Sequence, residues 1–371
     1  MSALRLAVIG AGHLGRIHAK LAKSSEQFEV VGVADPSPAA LQLVTDQLGL
    51  PTFTDYTQLL GKCDAAIVAA PTMLHYEVAS TLLRSGVHVL VEKPLATNPE
   101  QAGRLVQIAR HHNRVLQTGH VERFNPVWTA AIPHLRQPKY IEGMRAGPYS
   151  GRSTDIGVVM DLMIHDLDLV LSLVRSEITH ISASGIAVVG GHEDLAEARL
   201  EFANGCIASL RVSRLATQAT RKMQIFAAEG YANIDFSASE VQIVKVSEQL
   251  LNRDISLDQL SAAERMAAKD SIYGAMLSMQ TISAPSRNAI LDEQNDFALS
   301  IRSGVSPAVS GEDGYQAVDA AARVLEAIAD HRWDGIHSKP WRIGALAEVE
   351  PKILSITAAQ QAASKNKRLA G

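Results

Sequence analysis

An apolar segment of the chain, residues 158–174, carries polar side chains at helical spacing. Asp161, His165 and Asp168 stand at positions i, i+4 and i+7, which places them on one face of a predicted helix. Burying an imidazole and two carboxylates is costly unless the groups pair or face a ligand. Histidine titrates near neutral pH, so His165 could act as a general base. The segment therefore predicts a reaction site, with a structural polar cluster as the alternative. No second histidine has the spacing of a two-histidine metal site.

A second candidate, Lys93, stands at the end of a predicted strand, in the sequence Glu92-Lys93-Pro94. In open parallel sheets, ligands bind outside the carboxyl ends of the strands. We therefore expect Lys93 to point into the crevice, where its ammonium could stabilise negative charge that develops on a reacting oxygen. An exposed lysine in an ordinary turn is the alternative.

Residues 4–35 contain a complete dinucleotide fingerprint. An apolar strand leads into Gly10-x-Gly12-x-x-Gly15 and a predicted helix, and Asp35 ends the next strand. Gly10 permits the tight turn, Gly12 lets the backbone approach a diphosphate, and Gly15 permits close packing of helix and strand. The Asp35 carboxylate can accept hydrogen bonds from ribose hydroxyls and would repel a 2′-phosphate, so the fingerprint predicts NAD in preference to NADP.

The elements that must position these residues form two groups. In residues 1–124, short apolar strands alternate with helical patterns, which is typical of βαβ units and a parallel sheet. The predicted strands are 4–10, 29–35, 65–70, 87–91 and 115–118. The predicted helices are 14–24, 38–48, 75–85 and 99–112.

The pattern changes after residue 124. An Asn204-Gly205 turn joins two alternating segments, which is a strong hairpin signal. The strand-like runs are 196–203, 207–213, 222–228, 232–236 and 241–246, and helices are expected at 289–303 and 311–329. We therefore predict an α/β chain with an N-terminal Rossmann domain (1–124), an α+β domain with a mainly antiparallel sheet for substrate binding and oligomerisation (125–344), and a C-terminal tail (345–371).

Composition argues against several classes of protein. The net charge is −4 with no long basic run, which argues against binding nucleic acid. Cys63 and Cys206 have no CxxC partner, so we expect neither a disulfide framework nor a zinc site. The first strand begins by Leu4, which leaves no room for a signal peptide, and no apolar run approaches the roughly 18 residues of a membrane span. We expect a soluble, cytoplasmic protein.

Taken together, the motifs resemble those of the glucose–fructose oxidoreductase, inositol dehydrogenase and MocA (Gfo/Idh/MocA) family over about residues 4–330. The resemblance rests on Gly10-x-Gly12-x-x-Gly15-x-x-His18, Ala70-Pro71-Thr72-x-x-His75, Glu92-Lys93-Pro94 and Asp161-x-x-x-His165. In residues 119–126 and 145–168 the chain is similar to the branch that oxidises the 3-hydroxyl of UDP-N-acetylglucosamine. It departs from many relatives in having Ala70-Pro71-Thr72 where they have Thr-Pro-Asn.

The resemblance implies roles for individual residues. The catalytic set is Lys93, Asp161 and His165, in which Asp161 could orient the His165 imidazole; whether His165 or Lys93 takes the proton stays open. The cofactor contacts are Gly10, Gly12, His13, Leu14, Gly15, Asp35, Pro71, Thr72, His75, Glu92 and Lys93. The substrate contacts are Lys93, Glu122, Arg123, Asn125, Arg145, Arg152, Asp161 and His165, of which the arginines are candidates to hold a diphosphate. In this family the Lys-Pro bond is often cis.

Three functions are compatible with the sequence. The first is an NAD-dependent nucleotide-sugar 3-dehydrogenase, and the second is a dehydrogenase of a free polyol or sugar, which would not need arginines for a diphosphate. The third is a regulator that senses dinucleotide without catalysis. A complete set of Lys93, Asp161 and His165 argues against the regulator. From the resemblance we also expect a homodimer or homotetramer and no metal ion.

Overall fold

The computed structural model describes residues 2–331 apart from 150, 152–155, 190, 255, 257 and 259. Its first part is a six-stranded parallel sheet in the order β3-β2-β1-β4-β5-β6. The strands are β1 (Leu4–Ile9), β2 (Phe28–Ala34), β3 (Thr52–Phe53), β4 (Ala65–Val68), β5 (His88–Glu92) and β6 (Leu116–Gly119). The helices between them are α1 (His13–Lys23), α2 (Pro38–Leu48), α3 (Thr72–Arg84) and α4 (Pro99–His111). The predicted Rossmann architecture is confirmed.

Burial explains why these segments are strands. All four side chains of β4 are buried, as are four of the five in β5, because helices cover both faces of the sheet. Helix boundaries follow the expected capping chemistry. Ser37 and Asn98 each accept a backbone N–H bond at a helix start, and a proline follows each of them. The sequence pattern missed β3, which is only two residues long.

The second part is an eight-stranded sheet in the order β14-β13-β12-β11-β7-β10-β9-β8. It is antiparallel except for the parallel pair of β7 and β10, so the prediction of a mainly antiparallel sheet is confirmed. Its strands are β7 (Pro138–Ala146), β8 (Ile178–Ile186), β9 (Leu195–Phe202), β10 (Ile207–Ser213), β11 (Thr220–Ala227), β12 (Gly230–Asp235), β13 (Glu240–Val246) and β14 (Leu277–Ser283).

One face of this second sheet is covered by helices and carries a single apolar core, which includes Trp128, Met163 and Phe202. The helices of this half are α5 (Pro126–Ala131), α6 (Ile164–Val174), α7 (Glu248–Leu251), α8 (Ala262–Ser271), α9 (Ala289–Ser303) and α10 (Gly311–Asp330). Although it comes late in the chain, α9 packs on the first sheet: Phe297 and Ala298 join the core formed by Leu6, Ile67 and Leu90.

Residues 158–174 do not form one regular α-helix. Val159–Met163 is a π-helical turn, and α6 begins only at Ile164. Asp161 therefore precedes α6, while His165 lies in its first turn. A π-turn inserts extra backbone and changes the angular spacing of side chains, so the i, i+4, i+7 face is not preserved.

Within the described residues, no helix is long and apolar enough to cross a bilayer. The predicted tail at 345–371 lies outside the described residues, as does Arg152.

Candidate active site

The glycine-rich loop between β1 and α1 has the geometry that a bound diphosphate requires. Gly10 has φ +104°, and a Cβ atom there would lie 2.5 Å from the Ala69 carbonyl oxygen, so only glycine fits. A Cβ at Gly15 would lie 1.9 Å from the Gly10 carbonyl oxygen, which explains how closely helix and loop pack. Around Gly12, by contrast, no described atom lies within 4 Å of a built Cβ. The loop is therefore tight at both ends and open in the middle.

The N-terminus of α1 has the features of an anion-binding site. Gly12 is its N-cap residue, no side chain caps the helix, and its first turn contains no acidic residue. The free N–H groups and the positive end of the helix dipole are thus available to a diphosphate. His13 and Leu14 are exposed in this first turn. These residues fit a dinucleotide diphosphate, as the fingerprint predicts.

Asp35 lies where the fingerprint expects its acid. It directly follows β2, and its carboxylate accepts hydrogen bonds from the backbone N–H groups of Ala11 (2.7 Å) and Ser37 (2.8 Å). These bonds orient the carboxylate beside the glycine loop and leave its remaining lone pairs for ribose hydroxyls. Across the sheet, Pro71 and Thr72 follow β4, where Pro71 precedes the first residue of α3.

His75, which the resemblance implies as a cofactor contact, is buried between the turns that follow β4 and β5. It is 1% exposed, and both ring nitrogens are occupied: Nδ1 lies 2.8 Å from the Pro94 carbonyl oxygen and Nε2 lies 2.8 Å from the Ala70 carbonyl oxygen. His75 therefore ties the turn after β5 to the turn after β4. It positions the Lys93-Pro94 segment, and its contact with the cofactor stays a prediction.

Glu92 also points into the protein. Its Oε1 accepts a hydrogen bond from His18 Nε2 at 2.8 Å, and its Oε2 accepts the backbone N–H of Lys93 at 3.2 Å. Burial alone would raise the pKa of Glu92, but the His18 hydrogen bond and the charge of Lys93 hold it below its usual value. Glu92 is thus a buried ionised carboxylate that anchors the backbone of Lys93, and its contact with the cofactor stays a prediction.

Lys93 lies at the carboxyl end of β5, as predicted, and its bond to Pro94 is cis. The Lys93 Nζ donates to two oxygens of one residue: the Asp161 backbone carbonyl at 2.8 Å and the Asp161 Oδ1 at 3.0 Å. The π-turn presents both oxygens to the ammonium. An ammonium has three N–H donors, so one donor of Lys93 remains available to a ligand.

His165 is not held by Asp161, which corrects the predicted orientation of the imidazole by this carboxylate. Among the described residues, the buried Nδ1 of His165 has no hydrogen-bond partner. Burial lowers the pKa of His165 well below 6.5, and the positive charges of Lys93 and Arg145 lower it further. His165 is therefore a neutral imidazole at pH 7, able to accept a proton.

Arg145 belongs to a buried ion-pair network. Its guanidinium donates to Asp166 Oδ1 (2.8 Å from Nη2) and to Glu122 Oε1 (2.9 Å from Nη1). Asn125 in turn donates to Glu122 Oε2 at 2.8 Å and accepts the N–H of Val127 at the start of α5. Arg145, Glu122 and Asn125 thus join β7, α6 and the segment after β6, and their contacts with the substrate stay predictions.

Arg123 is similarly engaged. Its guanidinium lies 3.5 Å from Asp168 Oδ2 and 3.4 Å from Asp313 Oδ1, and it donates to the Ala308 carbonyl at 3.2 Å. Burial raises the pKa of Asp168 to about 7. The third residue of the predicted helical face, Asp168, therefore pairs with Arg123, which also contacts Asp313 of α10.

Sequence reasoning assigned no function to several buried groups beside the site. His120 follows β6, is fully buried, and has no hydrogen-bond partner at either ring nitrogen among the described residues. Burial, then the charges of Arg123 and Lys93, lowers its pKa to about 3. Glu293 on α9 lies beneath Glu92. In the sequence, Glu293 is only one carboxylate in an amphipathic helix. Its burial beside Glu92 can be recognised only once α9 is known to pack on the first sheet.

Comparisons with known proteins find relatives over most of the chain. The family described as "Oxidoreductase family, NAD-binding Rossmann fold" matches residues 4–120. The "GFO/IDH/MocA C-terminal domain" matches residues 134–233.

Individual relatives have sugar and polyol dehydrogenase names. The UDP-N-acetylglucosamine 3-dehydrogenase of Acidithiobacillus ferrooxidans is 38% identical over 245 residues, which cover 65% of this chain and 76% of that protein. Its solved structure has a TM-score of 0.77 at 31% identity, over 88% of this chain and 98% of that one. The myo-inositol 2-dehydrogenase of Thermotoga maritima is 25% identical over 85% of this chain and 93% of that protein.

A more distant structure shares the fold. An oxidoreductase from Agrobacterium radiobacter, solved with NAD+, L-tartaric acid and magnesium, has a TM-score of 0.74 at 16% identity, over 89% of this chain and 97% of that one.

Proposed function

Because the chain belongs to the Gfo/Idh/MocA family of NAD-binding oxidoreductases, we propose that it oxidises the 3-hydroxyl of a UDP-N-acetylhexosamine to a ketone. Two findings support this choice: the name of the relative from A. ferrooxidans, and the coverage of its solved structure. The single observation that carries the proposal is the pairing of an anchored ammonium, Lys93, with a neutral imidazole, His165, at the carboxyl edge of a dinucleotide-binding sheet.

The residues that would hold the cofactor are those of the open loop: the backbone around Gly12, the first turn of α1, and the Asp35 carboxylate for the ribose. Pro71 and Thr72 lie at the neighbouring strand end. NAD, when bound, supplies the acceptor for a hydride from the sugar carbon.

In this proposal the two side chains divide the work on the hydroxyl. Lys93 uses its remaining N–H to hydrogen-bond the hydroxyl oxygen and to stabilise the developing alkoxide. His165 takes the hydroxyl proton, because its imidazole is neutral while the Lys93 ammonium is already donating to Asp161. Asp161 positions Lys93 through its carboxylate and its carbonyl. The proton therefore moves from the substrate oxygen to His165.

A free polyol is the second candidate substrate, and one observation favours it. Of the three arginines predicted to hold a diphosphate, Arg145 and Arg123 are engaged by carboxylates, and Arg152 lies outside the described residues. A polyol needs no diphosphate site, and the T. maritima relative is named a myo-inositol 2-dehydrogenase.

A substrate panel distinguishes the two. NADH formation, followed by absorbance, is measured with UDP-N-acetylglucosamine, UDP-N-acetylgalactosamine, myo-inositol and glucose, each with NAD and with NADP. We expect turnover with a UDP-N-acetylhexosamine and a preference for NAD. Turnover with myo-inositol or glucose and none with either nucleotide sugar would contradict the proposal.

A further inference from the structure

A buried carboxyl group lies close to Glu92, which directly precedes the turn of Lys93 and Pro94 (the Lys93 turn). This carboxyl group has no hydrogen-bond partner among the described residues. Glu293 is 0% exposed, and neither of its carboxyl oxygens has a hydrogen-bond partner among the described residues. One Glu293 oxygen, a Glu92 oxygen and a His18 ring nitrogen all lie within 4.8 Å of one another. Three elements therefore bring three titratable side chains together in the interior: α1, β5 and α9.

The hydrogen bonds around His18 fix where its proton sits. The Gln294 side-chain amide nitrogen lies 3.0 Å from His18 Nδ1, and it also donates to the His18 backbone carbonyl. An amide nitrogen can only donate, so Nδ1 is the acceptor and Nε2 carries the hydrogen. That hydrogen is given to Glu92 at 2.8 Å. His18 therefore has no donor left for Glu293.

Among the described residues, no other group donates a hydrogen bond that would stabilise an ionised Glu293 carboxylate. The other nearby N–H, from the Lys93 backbone, is given to Glu92 Oε2. The side chain of Asp296, also on α9, adds negative charge. An ionised carboxylate without donors is strongly unfavourable in an interior, and a second carboxylate beside it adds repulsion. Burial, and then the charge of Glu92, raises the pKa of Glu293 well above its usual value.

We propose that Glu293 is a neutral carboxylic acid in the working enzyme, that its O–H hydrogen-bonds the Glu92 carboxylate, and that it thereby positions the Lys93 turn. Glu92 then receives three donors: the His18 imidazole N–H, the Lys93 backbone N–H and the Glu293 hydroxyl. A charged, fully bonded Glu92 holds the backbone from which the catalytic ammonium extends. Glu293 thus acts through Glu92 and touches neither substrate nor cofactor.

The main rival occupant of this cluster is a cation. A metal ion would need the lone pair of His18 Nε2, which the Gln294 contact assigns to a proton. The two occupants differ in the charge that they require on the Glu293 carboxyl group. With a proton the group is neutral, whereas a metal binds only the ionised form.

Infrared spectroscopy of the intact protein tests the protonation state directly. In a sample with ¹³C-labelled glutamate at pH 8, exposed glutamates are ionised, so a ¹³C-shifted band of a protonated carboxyl must come from a buried one. We expect this band in the wild type and its loss in Glu293→Gln, with no stoichiometric metal by elemental analysis. Absence of the band, or one equivalent of metal that Glu293→Gln loses, would overturn the proposal. Absence of the band in the labelled wild type overturns the proposal even if the Gln variant does not fold, and Glu293→Leu then serves as the second variant in which the band should be lost.

The positioning role has a separate kinetic test, which depends on Lys93 acting as proposed above. Glu293→Gln keeps a donor of the same shape, and we expect its kcat to stay within about threefold of wild type. Glu293→Leu keeps most of the volume but has no donor, and kcat should fall about tenfold or more while the Kd for NAD changes little. Asn295→Leu, at an exposed position of the same helix, is the matched control.

Equal loss of kcat in the Gln and Leu variants would contradict positioning through a hydrogen bond. Because the infrared band requires no substrate, failure of the proposed function and failure of the neutral carboxyl are distinguishable.

Discussion

At the scale of residues, the site is defined by how one ammonium is held. The two Lys93–Asp161 hydrogen bonds leave a single donor direction for a substrate oxygen. His165 contributes the opposite property, a neutral imidazole that can accept a proton. A donor and an acceptor of this kind are what removal of a proton from an alcohol requires.

Removing either group should abolish turnover but not cofactor binding. For Lys93→Ala and His165→Ala we expect kcat to fall by about 10²-fold or more, since each acts on the reacting hydroxyl. The Kd for NAD, measured by calorimetry, should stay within a few-fold of wild type because the glycine loop is untouched. Lys139→Ala, an exposed lysine of β7, is the control. Wild-type activity in either active-site variant would remove that residue from the chemistry.

The pH dependence follows from the lowered pKa of His165. A base must be neutral to accept a proton, and burial extends the neutral form to pH values below 6.5. The acidic limb of kcat/KM should therefore have its midpoint below pH 6.5, and activity should not decline between pH 8 and 7 on account of this group. A limb with its midpoint at or above 6.5, measured with the preferred substrate, would show that His165 is not the base.

Residue types and spacing singled out Lys93, Asp161 and His165 as candidates, but not their partners. The prediction paired Asp161 with His165 because it assumed a regular α-helix; the π-turn at Val159–Met163 instead gives Asp161 to Lys93. Likewise, Arg145 and Glu122 are 23 positions apart, and only the sheet and α6 bring them together. Which side chains bond to one another depends on the tertiary fold, and the local spacing of residues does not reveal it.

At the scale of elements, a buried ion-pair network fixes α6, the helix that contains His165, to the rest of the fold. Arg145 on β7 joins Asp166 on α6 and Glu122 after β6, so three elements depend on one guanidinium. The neighbouring residue His165 is held on the same turn of α6 as Asp166. Loss of the network should therefore first reduce stability.

We expect Arg145→Ala to lower the free energy of unfolding by about 3–5 kcal/mol, because it leaves buried carboxylates without their partner. Urea denaturation followed by circular dichroism measures the loss. The matched control is Arg199→Ala, whose exposed pair with Glu201 should contribute at most about 1 kcal/mol. An Arg145→Ala variant with unchanged stability and a raised KM would restore Arg145 as a substrate ligand.

Elements with strong burial patterns were predictable, and weakly buried ones were not. The five longer strands of the first sheet and helices α2 and α9 match their predicted positions closely, because they are buried runs or capped amphipathic helices. The sequence pattern missed β8 and β14, which lie at the two edges of the second sheet and are partly exposed. It missed β7 because charged residues and a glycine interrupt its apolar pattern.

At the scale of the whole molecule, one face of the second sheet carries exposed apolar side chains. Aromatic side chains line up across three strands there: Tyr140 and Phe226 have ring centroids 6.2 Å apart, and Phe226 and Tyr231 5.2 Å apart. Phe226 is 37% exposed and Met279, on the edge strand, is 58% exposed. An apolar strip on an open sheet face favours association.

We therefore predict a homodimer or homotetramer that pairs through this face. Light scattering after gel filtration should give the mass of two or four chains for the wild type. Phe226→Glu should shift the mass to a smaller species, because it places charge in the centre of the strip. Leu299→Glu, an exposed leucine on α9 away from this face, should not. A monomeric wild type at micromolar concentration would contradict the prediction.

In the proposed function, a hydride passes from C3 of a UDP-N-acetylhexosamine to NAD. The most direct test is the transfer of deuterium from UDP-N-acetylglucosamine labelled at C3, with the NADH product analysed by mass spectrometry. We expect one deuterium on the NADH, and none when the label is at C4 instead. Unlabelled NADH from the C3-deuterated sugar, or labelled NADH from the C4-deuterated one, would contradict it.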